Sequence, residues 1–244
     1  MKKIKRILLG LVIVVVLIGI GFVVWAETPL GPTPEALSAL ESDSQVTVTI
    51  DHFTTFQPVN VRPTTGFIFY PGGHVDYRSY AAPLHKIAAQ GYLVVLVPVR
   101  LNLAFFDINA AQPIFAAHPE IQHWAVGGHS LGGVASALFA KGQPEIEGLI
   151  FWASYPADDS FRNSNIKVLS IYGTNDKAGM EKFDETKKLL PQDTQFIVMD
   201  GGNHAQFGDY GPQPGDKIAT ISRAEQQKQI VEASVNFLHE LSAP

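Results

Sequence analysis

The chain has 244 residues, 46% of them hydrophobic, and a formal net charge of −5, a globular rather than a disordered composition. It has no cysteine, so disulfides and thiolate metal sites are excluded. Acidic residues are in excess and no polybasic block lies beyond the N-terminus, so no nucleic-acid partner is expected.

Lys2, Lys3, Lys5 and Arg6 precede an uncharged apolar run from Ile7 to Trp25. The run is about as long as a helix that crosses a bilayer. The basic cluster predicts a cytoplasmic N-terminus with the bulk of the chain outside. Val24-Trp25-Ala26 also offers small residues at acceptable cleavage positions. Residues 1–26 are therefore read as a retained transmembrane anchor or a cleaved signal segment, and either one exports the rest. Residues 27–43 read as a linker. Within it, Thr28-Pro29-Leu30-Gly31-Pro32-Thr33-Pro34 predicts a stiff, extended spacer, and Glu35 to Glu41 one short helix. A folded domain is expected over residues 44–244.

Gln45 to Asp51 alternates and is β-branched, which predicts a half-buried strand with Phe53 to Pro58 as its antiparallel partner. Gly66 to Tyr70 is a buried strand running into the glycine loop Pro71-Gly72-Gly73. Tyr80 to Gln90 has helical spacing, and Gly91 ends it. Tyr92 to Val99 carries the strongest buried-strand signal. Ile108 to Ala117 predicts a helix disturbed by Pro113. Trp124 to Gly127 is a short strand that enters a tight turn and then a helix opening at Val134. Leu149 to Ala153, Ile166 to Tyr172 and Gln195 to Met199 are three further strands. Glu181 to Leu190 is an amphipathic helix, and Ala224 to Leu241 a closing one. Apolar strands alternating with helices predict an α/β fold with a mostly parallel central sheet covered on both faces.

Sites in such sheets form at the carboxyl ends of the strands. Four loops lie there: Pro71-Gly72-Gly73-His74, Gly128-His129-Ser130-Leu131-Gly132, Gly173-Thr174-Asn175-Asp176 and Asp200-Gly201-Gly202-Asn203-His204. The second fits G-x-S-x-G, a strained strand-to-helix corner that exposes a serine hydroxyl. The chain passes close to itself there, which suits Gly128 and Gly132. A serine hydroxyl is a weak nucleophile, and a histidine within reach can take its proton. A carboxylate on the other ring nitrogen fixes the tautomer. The chain order Ser130, Asp176, His204 matches one such architecture. Asp209, five residues after His204, is the rival acid.

With Phe69-Tyr-Pro-Gly-Gly73, Gly128-His-Ser-Leu-Gly132, Tyr172-Gly-Thr-Asn-Asp176 and Gly202-Asn-His204 in this order, the chain resembles an α/β-hydrolase from about Val46 to its end. The resemblance implies Ser130 as nucleophile, Asp176 as acid, His204 as base, and the backbone N–H groups of Gly73 and Leu131 as the oxyanion hole. It departs from relatives that insert a cap domain, since only about a dozen residues separate Ala153 from Ile166. An open site is expected. His74, Tyr77 and Phe207 are candidate substrate contacts, as are Asp76 and Tyr210; His129 reads as packing beside the turn. No H-E-x-x-H or other metal spacing appears, and no cofactor is expected.

The expected activity is cleavage of a small-molecule or lipid carboxylic ester through a serine acyl-enzyme, in a domain tied to the membrane by the N-terminal helix. A thioesterase, lipase, amidase or acyltransferase on the same residues is the alternative. A non-catalytic binding module is a further one. The oligomeric state is left open.

Overall fold

Strands whose side chains are apolar on both sides dictate a sheet with two covered faces. The computed structural model describes residues 2–243 and contains such a sheet. Its strands are β1 (Val46–Ile50), β2 (Thr54–Pro58), β3 (Thr65–Tyr70), β4 (Leu93–Leu96), β5 (His123–His129), β6 (Ile146–Trp152), β7 (Lys167–Gly173) and β8 (Gln195–Met199). They form one 8-stranded sheet in the order β1-β2-β4-β3-β5-β6-β7-β8. β2 runs antiparallel to both β1 and β4, and from β4 to β8 all pairs are parallel.

The helices are α1 (Lys2–Ala26), α2 (Pro34–Ser38), α3 (Ala81–Ala88), α4 (Gln112–Ala117), α5 (Leu131–Ala140), α6 (Lys177–Thr186) and α7 (Arg223–Ser242). β3 shows how the faces divide. Phe67 and Phe69 point into a core shared with Leu84 and Ile87 of α3 and Ile230, Phe237 and Leu238 of α7. Ile68 and Tyr70 point the other way, to Ile114 of α4 and Ala135, Ala137 and Phe139 of α5.

After β3 the chain pairs on one side with β4 and on the other with β5. A strand order that reverses like this leaves a crevice at the carboxyl ends, between the loops after β3 and β5. The loops after β7 and β8 reach the same edge.

Several bounds differ from expectation, for local reasons. β4 ends at Leu96, before Pro98, which has no N–H for a ladder. α4 starts only at Gln112, because Pro113 suits the first turn of a helix rather than its interior. α5 begins three residues before Val134, directly after Ser130. Gly132 and Gly133, poor helix formers, conceal that first turn in the sequence.

Residues 27–43 are not a free spacer. Leu30 forms a parallel bridge with Val75. Thr33 N–H donates to Asp209 O at 2.7 Å, and His85 reaches both Ala39 O and Asp43. Ala36 of α2 is fully buried, and Leu30, Ala39 and Leu40 pack on the α3 face of the core. The proline-rich stretch is extended as expected, but it is laid along the domain. α1 is the one helix among the described residues long and apolar enough to cross a membrane, and only its last residue, Ala26, is buried.

Candidate active site

The centre of the crevice is the β5–α5 corner. Ser130 has φ 51° and ψ −121°, a conformation non-glycine residues rarely adopt. Its backbone is held on both sides: its N–H donates to Trp152 O at 3.0 Å, and Ser154 Oγ donates to its carbonyl at 2.6 Å. The corner is tight enough to require glycine. A Cβ on Gly128 would stand 2.5 Å from Tyr70 O and 2.6 Å from the carbonyl carbon of Gly132. One on Gly132 would collide with the carbonyl oxygens of Tyr70 and Pro71. The other non-glycine residues with positive φ among those described, His74, Leu101, Asn102 and Ala153, lie in loops around this corner.

His204 follows β8 through Gly201 and Gly202. Its Nδ1 lies 3.0 Å from Asp176 Oδ2. Asp176 caps α6, its Oδ1 accepting from Gly179 N–H at 3.0 Å, and its side chain is only 2% exposed. The arrangement is charge-assisted and fixes the ring, leaving Nε2 for the crevice. Asp209, the rival, is elsewhere. It is buried beside the Arg223 guanidinium, with Nε at 3.7 Å, and burial raises its carboxyl above the usual range.

Ser130 and His204 together line two cavities, one of about 290 Å³ and one of about 230 Å³. The first adds Asp176 and the segment Gln213-Pro214-Gly215-Asp216. The second adds Leu131, Val134, Ala153, Ser154, Tyr155, Gly179 and Lys182. No hydrogen bond joins the Ser130 hydroxyl to His204; contacts of this kind tighten only when a substrate is in place.

Two backbone donors face the corner. Leu131 is the first residue of α5, so its N–H has no partner within the helix. In the β3 loop, Gly72 N–H is taken by Tyr80 Oη at 3.1 Å and His74 N–H by Asn102 O at 2.8 Å, leaving Gly73 N–H uncommitted. Gly73 packs on Leu131, whose Cδ2 would be 2.8 Å from an added Cβ.

The candidate substrate contacts fare differently. Phe207 is fully buried, stacked on His129 with centroids 5.5 Å apart at 17°, so it is a core residue and not a pocket wall. Tyr77 is half-buried against the α3 face of the core and lines neither cavity. Tyr210 is also buried. Asp76 caps the turn before α3 and pairs with Arg78 at 2.6 Å. His74 is engaged by α1: its Nε2 lies 2.7 Å from Trp25 O and its ring stacks on Trp25 at 4.2 Å. His129, as expected, packs under the corner. Tyr80 Oη lies 2.8 Å from its Nδ1, and its ring centroid is 4.4 Å from that of His204. Burial, and then the neighbouring His204, lower the His129 pKa well below the ordinary value, so it adds no positive charge beneath His204.

Tyr155, Lys182 and Asp216 also line these cavities, and no sequence motif marks them. Lys182 Nζ donates to Tyr155 Oη at 3.2 Å. Asp216 accepts from the backbone N–H groups of His204 and Ala205 at 3.3 and 2.8 Å, which folds the loop after β8 back over the crevice. The site thus has a wall on that side, although no cap is inserted after β6. The one hint in the sequence is the pair of glycines around this loop, Gly211 and Gly215, both at positive φ.

A family model described as the α/β hydrolase family matches residues 66–228. Among solved structures, the chain is similar to the dienelactone hydrolase of Anabaena variabilis, with a TM-score of 0.61 at 12% identity over 81% of this chain and 99% of that one. It is similar also to a thermostable esterase from Pseudomonas putida, with a TM-score of 0.57 at 14% identity over 86% of this chain and 88% of the other. An esterase/lipase from an uncultured bacterium has a TM-score of 0.56 at 12% identity, over 86% and 89%. At these identities the likeness is one of fold. A search of curated protein sequences gave no match.

Proposed function

Since the chain belongs to the α/β-hydrolase family, we propose that it hydrolyses carboxylic esters with Ser130 as nucleophile, His204 as base and Asp176 as the acid that orients it. The observation carrying this reading is the 3.0 Å contact from His204 Nδ1 to the buried Asp176, with His204 lining the same cavities as the strained Ser130. Ser130 Oγ attacks the ester carbonyl carbon while its proton passes to His204 Nε2. Asp176 stabilises the imidazolium. The oxyanion is met by the free N–H groups of Leu131 and Gly73, each worth roughly 2.7–4 kcal/mol by analogy with other oxyanion donors. The intermediate collapses, the alcohol leaves with the proton from His204, and a water activated by the same histidine releases the acid. The two cavities that share Ser130 and His204 suit an acyl group and an alcohol of modest size. A thioester or an acceptor other than water would use the same atoms.

In the same reading α1 crosses the membrane with its basic end in the cytoplasm, and the catalytic domain lies outside. The test is turnover of p-nitrophenyl acetate by the detergent-solubilised full chain. Wild type is expected to turn it over, and Ser130→Ala to lose nearly all activity while keeping its circular-dichroism spectrum. Full activity in Ser130→Ala would refute the assignment.

A further inference from the structure

The end of α1 is built into the rim of the site. Asn102 Nδ2 donates to Ala26 O at 3.0 Å, and Asn102 O accepts the His74 N–H at 2.8 Å. His74 in turn holds Trp25 through its ring face and through Nε2. Leu30 N–H donates to His74 O and Leu30 O accepts from Asp76 N–H, so almost no slack separates the helix from the domain. Three of the five non-glycine residues with positive φ among those described, His74, Leu101 and Asn102, lie at this joint. Backbone strain at such a density persists only where the surroundings hold it. A flexible tether needs none of these contacts.

Beside the joint, Phe105 and Phe106 are 46% and 55% exposed, and Trp25 and Phe22 of α1 are 47% and 38% exposed. Phe106 meets Phe22 edge-on at 6.1 Å. Phe22 lies about 6 Å below the end of α1, at 1.5 Å per residue. If the apolar run fills the hydrocarbon, Phe106 sits at the depth where aromatic side chains mark the membrane interface. Three residues before Phe106, Leu103 packs against Gly73, its Cδ2 3.6 Å from where a Cβ would stand. One short segment, residues 100–106, therefore touches the bilayer-crossing helix and the oxyanion loop at once.

We propose that this aromatic face is a lipid-docking surface. It holds the domain against the outer leaflet with Phe105 and Phe106 in the interface, so that the site draws on esters resident in the membrane. The substrate half rests on the ester-hydrolase reading, and the docking half on the reading of α1 as a membrane-crossing helix. The occupant is the bilayer itself because the face continues the surface of the one described helix suited to lipid.

The chain has no cysteine, so single labels are clean. Phe106→Cys and, on the opposite edge of the sheet, Glu145→Cys are to be labelled with an environment-sensitive fluorophore. Each full-length chain is then placed in phosphatidylcholine vesicles carrying a shallow nitroxide lipid. Quenching and a blue shift at position 106 but not at 145 are expected; equal water exposure at both would overturn docking. In the same vesicles, Phe105→Ser with Phe106→Ser should lower hydrolysis of a membrane-held oleoyl ester by about tenfold or more, as when an effective-concentration advantage is removed. Hydrolysis of p-nitrophenyl acetate should be unchanged. Equal effects on both esters would overturn the substrate half. Loss of all ester turnover in wild type would instead refute the hydrolase reading and leave the quenching result to decide docking.

Discussion

Gly128→Ala tests how tightly the corner is built. The added Cβ would stand 2.5 Å from Tyr70 O, 2.6 Å from Gly132 C and 2.8 Å from Gly132 O, where ordinary contact begins at 3.4 Å. All three atoms are backbone, in β3 and α5, so no side chain can swing aside. The strand end and the start of α5 must separate by roughly 1 Å, a displacement that costs about 10²-fold in rate where reacting groups are prepositioned. Leu131 N–H moves with the helix, so the loss should fall on kcat more than on KM. Overpacking of this kind also costs about 1–3 kcal/mol of stability, or about 2–12 °C in melting temperature at this chain length. The control is Gly142→Ala, where a Cβ meets nothing within 4 Å and neither quantity should change. Turnover of p-nitrophenyl acetate and a thermal melt are to be measured on both variants. Wild-type kcat and melting temperature in Gly128→Ala would refute the close-approach argument.

His204→Ala should abolish turnover with folding intact, and adding Ser130→Ala should cost little more, because residues of one catalytic unit are not additive; multiplying losses would contradict a shared mechanism. Asp176→Asn should lower kcat by about 10⁴, as the same swap does in a known triad. Asp209→Asn should stay within about tenfold of wild type, since Asp209 acts on neither catalytic residue; a crippled Asp209→Asn would reverse the assignment of the acid. Because burial raises the Asp209 pKa, its stabilising contribution is complete below the unfolded value and is lost as pH rises through the folded one. Asp209→Asn should therefore gain in melting temperature relative to wild type between about pH 4 and pH 7, checked by melts across that range. Tyr80→Phe leaves Gly72 N–H and His129 Nδ1 without their shared partner. It should cost about 1–3 kcal/mol, and an unchanged melt would contradict that bond's role.

The sheet was legible because its strands carry short-range signals. β3 is apolar on both sides, and Phe67 and Phe69 against Ile68 and Tyr70 supply the two cores. The four site loops were legible because each follows such a strand. Which way a loop side chain faces was not. Phe207 follows His204 closely, yet its ring turns inward onto His129, a contact set by packing across the sheet. The partner of His74 is 49 residues away, on a helix whose composition speaks only of lipid. Asp216 reaches back to His204 across a loop of prolines and glycines whose path no periodicity describes. Around Leu30 the prolines predict a stiff spacer. What makes it part of the domain is a set of distant contacts, among them the Leu30 bridge to Val75, the Thr33 N–H bond to Asp209 O and the burial of Ala36, none of which leaves a local pattern.

The most direct measurement is covalent trapping of the nucleophile. The full chain is to be treated with a fluorophosphonate, which reacts with activated serines, and then digested and mapped by mass spectrometry. One adduct on the peptide containing Ser130 is expected, absent in Ser130→Ala and formed far more slowly in His204→Ala and Asp176→Asn. An adduct on another serine, or ester turnover by a chain that takes up no label, would contradict Ser130 as the nucleophile.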